Sequence, residues 1–208
     1  MQIAIIDLGI GNLRSVEQAI KTVAPDANVV VTSDSAVIDA ADRIVMPGQG
    51  AIGTWFKVLR ERELETVITQ AIQEKPLLGI CVGMQALFDH CEEDGGMSGL
   101  GLFDGSCNQD DERLKIPQMG WNQVAQTQEH PMWQSIDDDA YFYFVHSYCA
   151  NASEDADLGM VYGVADYGHQ FIAAVGTENL FAVQFHPEKS HRDGLQLLKN
   201  FTQWNGTA

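Results

Sequence analysis

Positive charge is scarce in this chain: 12 Lys and Arg stand against 29 Asp and Glu, a formal net charge of −17. Nucleic acid and anionic membrane surfaces both select basic patches, so this balance excludes them as partners. Long apolar runs are also missing, and no stretch approaches the ~18 residues of a membrane span. The opening MQIAIIDLG has no basic residue ahead of its brief apolar run. No signal peptide is therefore expected, and the reading is a cytoplasmic protein. Cysteine is sparse. Cys81, Cys91, Cys107 and Cys149 form no C-x-x-C pair and no recognisable ligand spacing with histidine, so reduced thiols are expected, with no metal site. No cofactor fingerprint is complete either. GIGNLR (9–14) has the place of a dinucleotide turn but lacks its third glycine, and no acidic residue closes a second strand in the usual way.

What is present is an alternation. IAIID (3–7), NVVVT (28–32), RIVMPG (43–48) and PLLGIC (76–81) are short apolar runs that read as buried parallel strands. Between them, a helix capped by Asn12 is expected to run to about Val23 before Pro25. Apolar residues at helical spacing from Thr54 to Lys75 mark another helical region, and MQALFDHC (84–91) reads as the start of a helix after the fourth strand. The second half changes character. ERLKIPQMGWNQVAQ, YFYFVHSYCA, LGMVYGVADYG, QFIAAVGTE and LFAVQFHPE are strand-like runs with few helices between them, before a last helix near 192–204. NASEDAD (151–157) reads as a solvated loop. The expected fold is α/β: a doubly wound, mostly parallel sheet flanked by helices, with antiparallel additions in the C-terminal half, as a single domain over 1–208. In such sheets ligands collect at the carboxyl ends of the strands, where Asp7, Pro47-Gly48 and Cys81 fall.

The pentapeptide GICVG (79–83) has the G-x-nucleophile-x-G form of a strand-to-helix elbow, with cysteine in the serine position. A helix starting at the sulfur would favour the thiolate. The alternative is a core cysteine in a glycine-rich turn. A thiolate needs a base and the base an orienter. In AVQFHPEKS, His186 follows an apolar run, with Glu188 two residues on, where it could hold the imidazole. His146 in FVHSY, also at a strand end, is the runner-up base. Acyl chemistry further needs an oxyanion hole. The Val82 N–H is one donor, and PGQG (47–50) could supply another through Gly48 or Gln49, although that stretch in isolation is an ordinary turn.

With Cys81, His186 and Glu188 in this order, the chain resembles the triad, or class I, glutamine amidotransferases over nearly its whole length. GNLRS (11–15), MPGQG (46–50), GICVGMQ (79–85), KIPQMGWN (115–122), YFVHSY (143–148) and HPEKS (186–190) are most similar to the glutaminase subunits of imidazole glycerol phosphate synthases. The resemblance implies that Cys81 attacks the glutamine carboxamide while His186 shuttles protons and Glu188 orients it. Gly50, Gln85, Glu93 and Ser147 match substrate-pocket positions. Gln85, four residues beyond Cys81, should share a helix face with the sulfur. The resemblance also implies a (β/α)8-barrel cyclase as partner in a heterodimer, with no cofactor. Ammonia would pass to that barrel in histidine biosynthesis, and glutaminase activity would stay weak until the barrel and its substrate are present. Trp121, Asn122, Tyr143 and Lys189 match positions at that contact, while a core role for Trp121 is equally open from sequence. Leu8, Gln49 and Gln118 depart from the family's usual residues. Gln49 stands in the oxyanion strand and bears on how it is switched. Rival readings are an amidotransferase subunit serving another pathway, a stand-alone cysteine hydrolase, and a non-catalytic binding module.

Overall fold

The computed structural model describes residues 1–109, 113–152 and 158–207. β1 (Gln2–Ile6) leads into α1 (Leu13–Val23), where the Asn12 carboxamide oxygen accepts from the Ser15 N–H at 3.3 Å. β2 (Asn28–Thr32), α2 (Ser35–Asp39) and β3 (Arg43–Gly48) follow. The short α2 has no counterpart in the expectations; Asp34 caps it through the Ala36 N–H. The helical region 54–75 is two helices, α3 (Ile52–Glu61) and α4 (Glu65–Glu74). Glu63 breaks it with φ 56°, and that turn seats Leu64 in the core. β4 (Leu77–Cys81) is buried along its full length.

Just beyond β4 the chain departs from expectation. α5 spans only Val82–Gln85, and the residues read as its continuation form a strand, β5 (Phe88–Cys91). The cause lies downstream. N–H groups of Leu100 and Leu102 take the carbonyls of Ala86 and Leu87, so those carbonyls are not available to a longer helix. His90 accordingly sits on a strand. β6 (Met97–Ser98), β7 (Phe103–Gln109), β8 (Gln118–Gln126), β9 (Ala140–His146), β10 (Tyr148–Ala152), β11 (Val161–Asp166), β12 (Gln170–Thr177) and β13 (Leu180–Val183) complete the strands, and α6 (His191–Gln203) closes the fold. Of the expected acidic loop 151–157, residues 151 and 152 belong to β10, and 153–157 lie outside the described residues.

The sheet order is β2-β1-β3-β4-β13-β12-β10-β7-β5-β6, with β11 joining β12 to β8 and β8 pairing with β9. β2, β1, β3, β4 and β13 are mutually parallel, and β8–β9 is an antiparallel ribbon. Most additions are antiparallel as expected, but β13 runs parallel to β4 with Val183 beside Ile80. That pairing is what places the two ends of the sequence at one site. α1 packs beside α6 and α2 beside α4. No helix among the described residues is long and apolar enough to cross a membrane.

Candidate active site

Cys81 is the last residue of β4 and the residue before α5, with φ 56° and ψ −112°. A side-chain-bearing residue there is strained by roughly 1–3 kcal/mol and persists only where its surroundings over-determine it. The flanking glycines do that by permitting close approach rather than by bending. A Cβ on Gly83 would lie 2.0 Å from the Met46 carbonyl oxygen, and one on Gly79 would lie 2.8 Å from the Ala182 Cβ. Gly48 is a third case, since its Cβ would stand 2.6 Å from that of Val82. The three glycines let β3, β4 and β13 close around the elbow, and Cys81 alone takes the unusual backbone angle. Because α5 is one turn long, its macrodipole is far smaller than the expected helix would provide.

Opposite the sulfur stands the turn after β13. His186 Nδ1 and Glu188 Oε1 are 2.9 Å apart, with side chains 3% and 0% exposed. The turn is pinned from β9: the His186 N–H donates to the Tyr143 carbonyl, the Tyr143 N–H to Ser190 Oγ, and the Ser190 hydroxyl to the His186 carbonyl. Burial disfavours a charged imidazole here, but the Cys81 sulfur and the Glu188 carboxylate outweigh it and raise the His186 pKa to about 10. With Nδ1 held by the carboxylate, Nε2 is the nitrogen left for the sulfur. The geometry favours imidazolium beside the sulfur, the cation that activates a cysteine.

These groups open onto a cavity of about 410 Å³ whose walls include Gly50, Val82, Gln85, Glu93, Ser147 and Lys189. Gln85 does share the cavity with the sulfur, as the four-residue spacing predicts. Its Nε2 donates to the Tyr148 carbonyl at 2.8 Å and to Gln184 Oε1 at 3.0 Å. Gln184 Nε2 in turn lies 3.6 Å from Cys81 Sγ, and the sulfur is 3.8 Å from the Val145 carbonyl oxygen. Glu93 Oε2 accepts the Ile52 N–H at 2.9 Å and so caps α3, which lacks a side-chain cap of its own. Burial raises the Glu93 pKa, the Ile52 N–H opposes that, and Asp94 adds to it. Gln49 lines the cavity, while its carboxamide oxygen accepts the Asn12 N–H and ties the end of β3 to the start of α1. Gly48 lies behind this wall, against Val82 and the N–H of Gly83. The runner-up base His146 also reaches the cavity, but the carboxylate is paired with His186.

The remaining sequence candidates separate. Trp121 is 46% exposed and meets the rings of Tyr143 and His191 edge-on at 5.9 and 5.1 Å, so the core reading of this tryptophan does not hold. Asn122, on the opposite face of β8, donates its amide to the Asp166 carbonyl. Met119 and Tyr141, 62% and 54% exposed, share the face of Trp121 and Tyr143, and neither was among the expected contact residues. Gln184 was missed as well. Its signal is a glutamine within the apolar run LFAVQF, since a polar side chain buried there must find partners.

The glutamine amidotransferase class-I family profile matches residues 4–204. The imidazole glycerol phosphate synthase subunit HisH of Dechloromonas aromatica is 51% identical, the match covering 97% of this chain and 96% of that protein. The subunit of the same name from Pseudomonas putida is 48% identical, with 98% of each chain covered. Among solved structures, a glutamine amidotransferase superposes with a TM-score of 0.71 at 18% identity, covering 97% of both chains. The glutaminase domain of Trypanosoma brucei CTPS, with bound acivicin, superposes with a TM-score of 0.65 at 16% identity over 99% of this chain and 95% of that one. These likenesses at low identity concern the fold.

Proposed function

The chain belongs to the class-I glutamine amidotransferases, and from that premise we propose that it is the glutaminase subunit of an imidazole glycerol phosphate synthase, with Cys81, His186 and Glu188 as its catalytic residues. The observation that carries the chemistry is the strained Cys81 elbow facing a buried His186–Glu188 pair 2.9 Å apart. The near-full-length HisH relatives support the pathway assignment.

In this reading the Cys81 thiolate attacks the carboxamide carbon of glutamine. The developing oxyanion is met by the Val82 N–H and by a second N–H at Gly48-Gln49. His186 delivers its proton to the leaving nitrogen, and ammonia departs from a glutamyl thioester. Water, deprotonated by the now neutral imidazole, hydrolyses the thioester to glutamate, and the sulfur leaves as thiolate beside the re-protonated imidazole, as at the start. Glu188 keeps the imidazole in one tautomer throughout. Both N–H groups of Gln85 are already committed, so its free carboxamide oxygen can only accept, which suits an N–H of the substrate. The second oxygen of Glu93 suits the α-ammonium, and Gly50 and Ser147 offer further polar groups around the bound amino acid.

The ammonia acceptor in this reading is a (β/α)8-barrel cyclase bound as a heterodimer. Trp121, Tyr143 and Lys189 would meet it, joined by Met119 and Tyr141, while Asn122 would act from the far side of β8. Exposed aromatic and methionine side chains rimmed by polar residues are the composition of such a contact. The test is glutamate release from glutamine by this chain, alone and with a cyclase subunit and its nucleotide substrate. Activity is expected in the complex and is expected to fall by roughly four orders of magnitude or more in Cys81→Ala. Full activity without the cyclase would remove the coupled-subunit reading, and an active Cys81→Ala would remove the nucleophile.

A further inference from the structure

Gln184 is fully buried, four positions beyond Leu180 and one beyond the last paired residue of β13. The parallel register sets Val183 beside Ile80, so the next residues along, Gln184 and Cys81, stand side by side. The orientation of its carboxamide follows from a chain of obligations. The Tyr148 main-chain carbonyl can only accept, so Gln85 must turn its NH2 group toward it, at 2.8 Å. The other N–H of that same group points at Gln184 and requires an acceptor there, the Oε1 atom at 3.0 Å. The Gln184 NH2 group is thereby left toward Cys81 Sγ, at 3.6 Å. A backbone oxygen at one end thus determines what the sulfur sees at the other.

We propose that Gln184 is a positioning residue for the nucleophile: its amide N–H holds the Cys81 sulfur and stabilises it as thiolate, in an orientation dictated through Gln85 by the Tyr148 carbonyl. This rests on Cys81 as the nucleophile and deepens that reading. Besides His186, the sulfur has two polar neighbours with opposite preferences. The Val145 carbonyl oxygen, at 3.8 Å, can only accept and therefore suits the S–H form. The Gln184 amide can donate and suits S⁻. As the proton leaves for His186, the contact with Val145 loses its attraction and the contact with Gln184 gains. Because Gln184 is neutral, it favours the thiolate without adding a charge that His186 or the substrate would feel. It also remains in place after the imidazolium has given its proton to the departing ammonia, when the sulfur carries the acyl group and must later leave again as thiolate.

The experiment is alkylation of Cys81 by iodoacetamide, followed at the Cys81 peptide by mass spectrometry across a pH series. It compares the wild-type chain with Gln184→Met, which keeps the volume and loses the donor, and Gln184→Glu, which keeps the shape and adds charge. Gln184→Met is expected to slow alkylation about tenfold at neutral pH and to move the midpoint of the pH profile up by about one unit, the loss of one hydrogen bond to a charged group. Gln184→Glu should move it further in the same direction. A Gln184→Met profile that overlays the wild type overturns the proposal, since a merely space-filling residue would leave the midpoint where it is. Should the variants not fold, 15N NMR of the wild-type chain reads the same contact. The Gln184 side-chain N–H resonance is expected to titrate with Cys81, and a resonance indifferent to Cys81 ionisation overturns the proposal. Alkylation uses neither glutamine nor a cyclase. A glutaminase assay that stays inert even with the cyclase and its nucleotide substrate, beside a shifted Gln184→Met profile, would therefore remove the substrate assignment and leave the role of Gln184 standing.

Discussion

The two sides of the candidate cavity are built on opposite terms. One side, formed by β3, β4, α5 and β13, is closed: Gly48, Gly79 and Gly83 admit no Cβ, and the polar atoms of Gln85 and Gln184 are matched to one another, to a carbonyl and to the sulfur. The other side, the β8–β9 ribbon, carries Met119, Trp121 and Tyr141 out into solvent. The first side holds a strained cysteine because everything around it is fixed. The second leaves apolar area in water that only another surface would remove, at about 25 cal/mol for each Å² covered. Chemistry is thus assigned to the part of the chain that is complete by itself, and its completion to the part that is not.

Three measurements would break or sharpen that contrast, from the largest expected effect to the smallest. Gly83→Ala should lose on the order of 4 kcal/mol or more of stability by denaturant unfolding, because a Cβ 2.0 Å from the Met46 carbonyl oxygen must push backbone away from backbone. A loss under about 1 kcal/mol would mean that the closed side can yield. His130 tests the same side by pH. It stacks on Phe181 of β13, its Nδ1 accepts the Met132 N–H, and burial lowers its pKa to about 4. A histidine whose folded pKa lies below its unfolded value near 6.5 gives stability that is complete above 6.5 and lost as pH falls towards 4, since only the unfolded chain takes up the proton. Wild-type chain should therefore lose on the order of 2–3 kcal/mol more than His130→Gln across that window. Parallel loss in the two chains would show that the imidazole is not held neutral.

On the exposed side, Trp121→Ala should leave stability within about 0.5 kcal/mol of wild type. It should weaken binding of the proposed cyclase partner by about 2 kcal/mol, roughly thirtyfold in Kd by titration calorimetry. A large loss of stability with unchanged affinity would reverse the assignment of the ribbon.

The parallel half was legible because its strands are short, apolar throughout and separated by helices whose caps and prolines are local signals. The elbow was legible for the same reason: five consecutive residues carry it, and His186 and Glu188 are two residues apart. What escaped reading was whatever depended on distant chain. Residues 88–91 look helical until Leu100 and Leu102 claim the carbonyls that a helix would use. The parallel placement of β13 against β4 has no local mark, and without it Gln184 is only a glutamine in an apolar run. Trp121 and Asn122 are adjacent in sequence and read together, yet the pleat of β8 sends them to opposite faces.

The pairing of β13 with β4 also sets a clock. Gln184 and Cys81 are 103 residues apart, and His186 lies further still along the chain. Closing so long a loop belongs to the slow end of chain assembly, after the local turns and helices have formed. A ribosome that has delivered β4 and its elbow has still to deliver most of the second half before a base can approach the thiol. Until then Cys81 is an ordinary cysteine with neither imidazole nor amide beside it. An interrupted chain that lacks its last strand would therefore hold the proposed nucleophile without its proposed base, and would lack the glutaminase chemistry proposed for the finished fold.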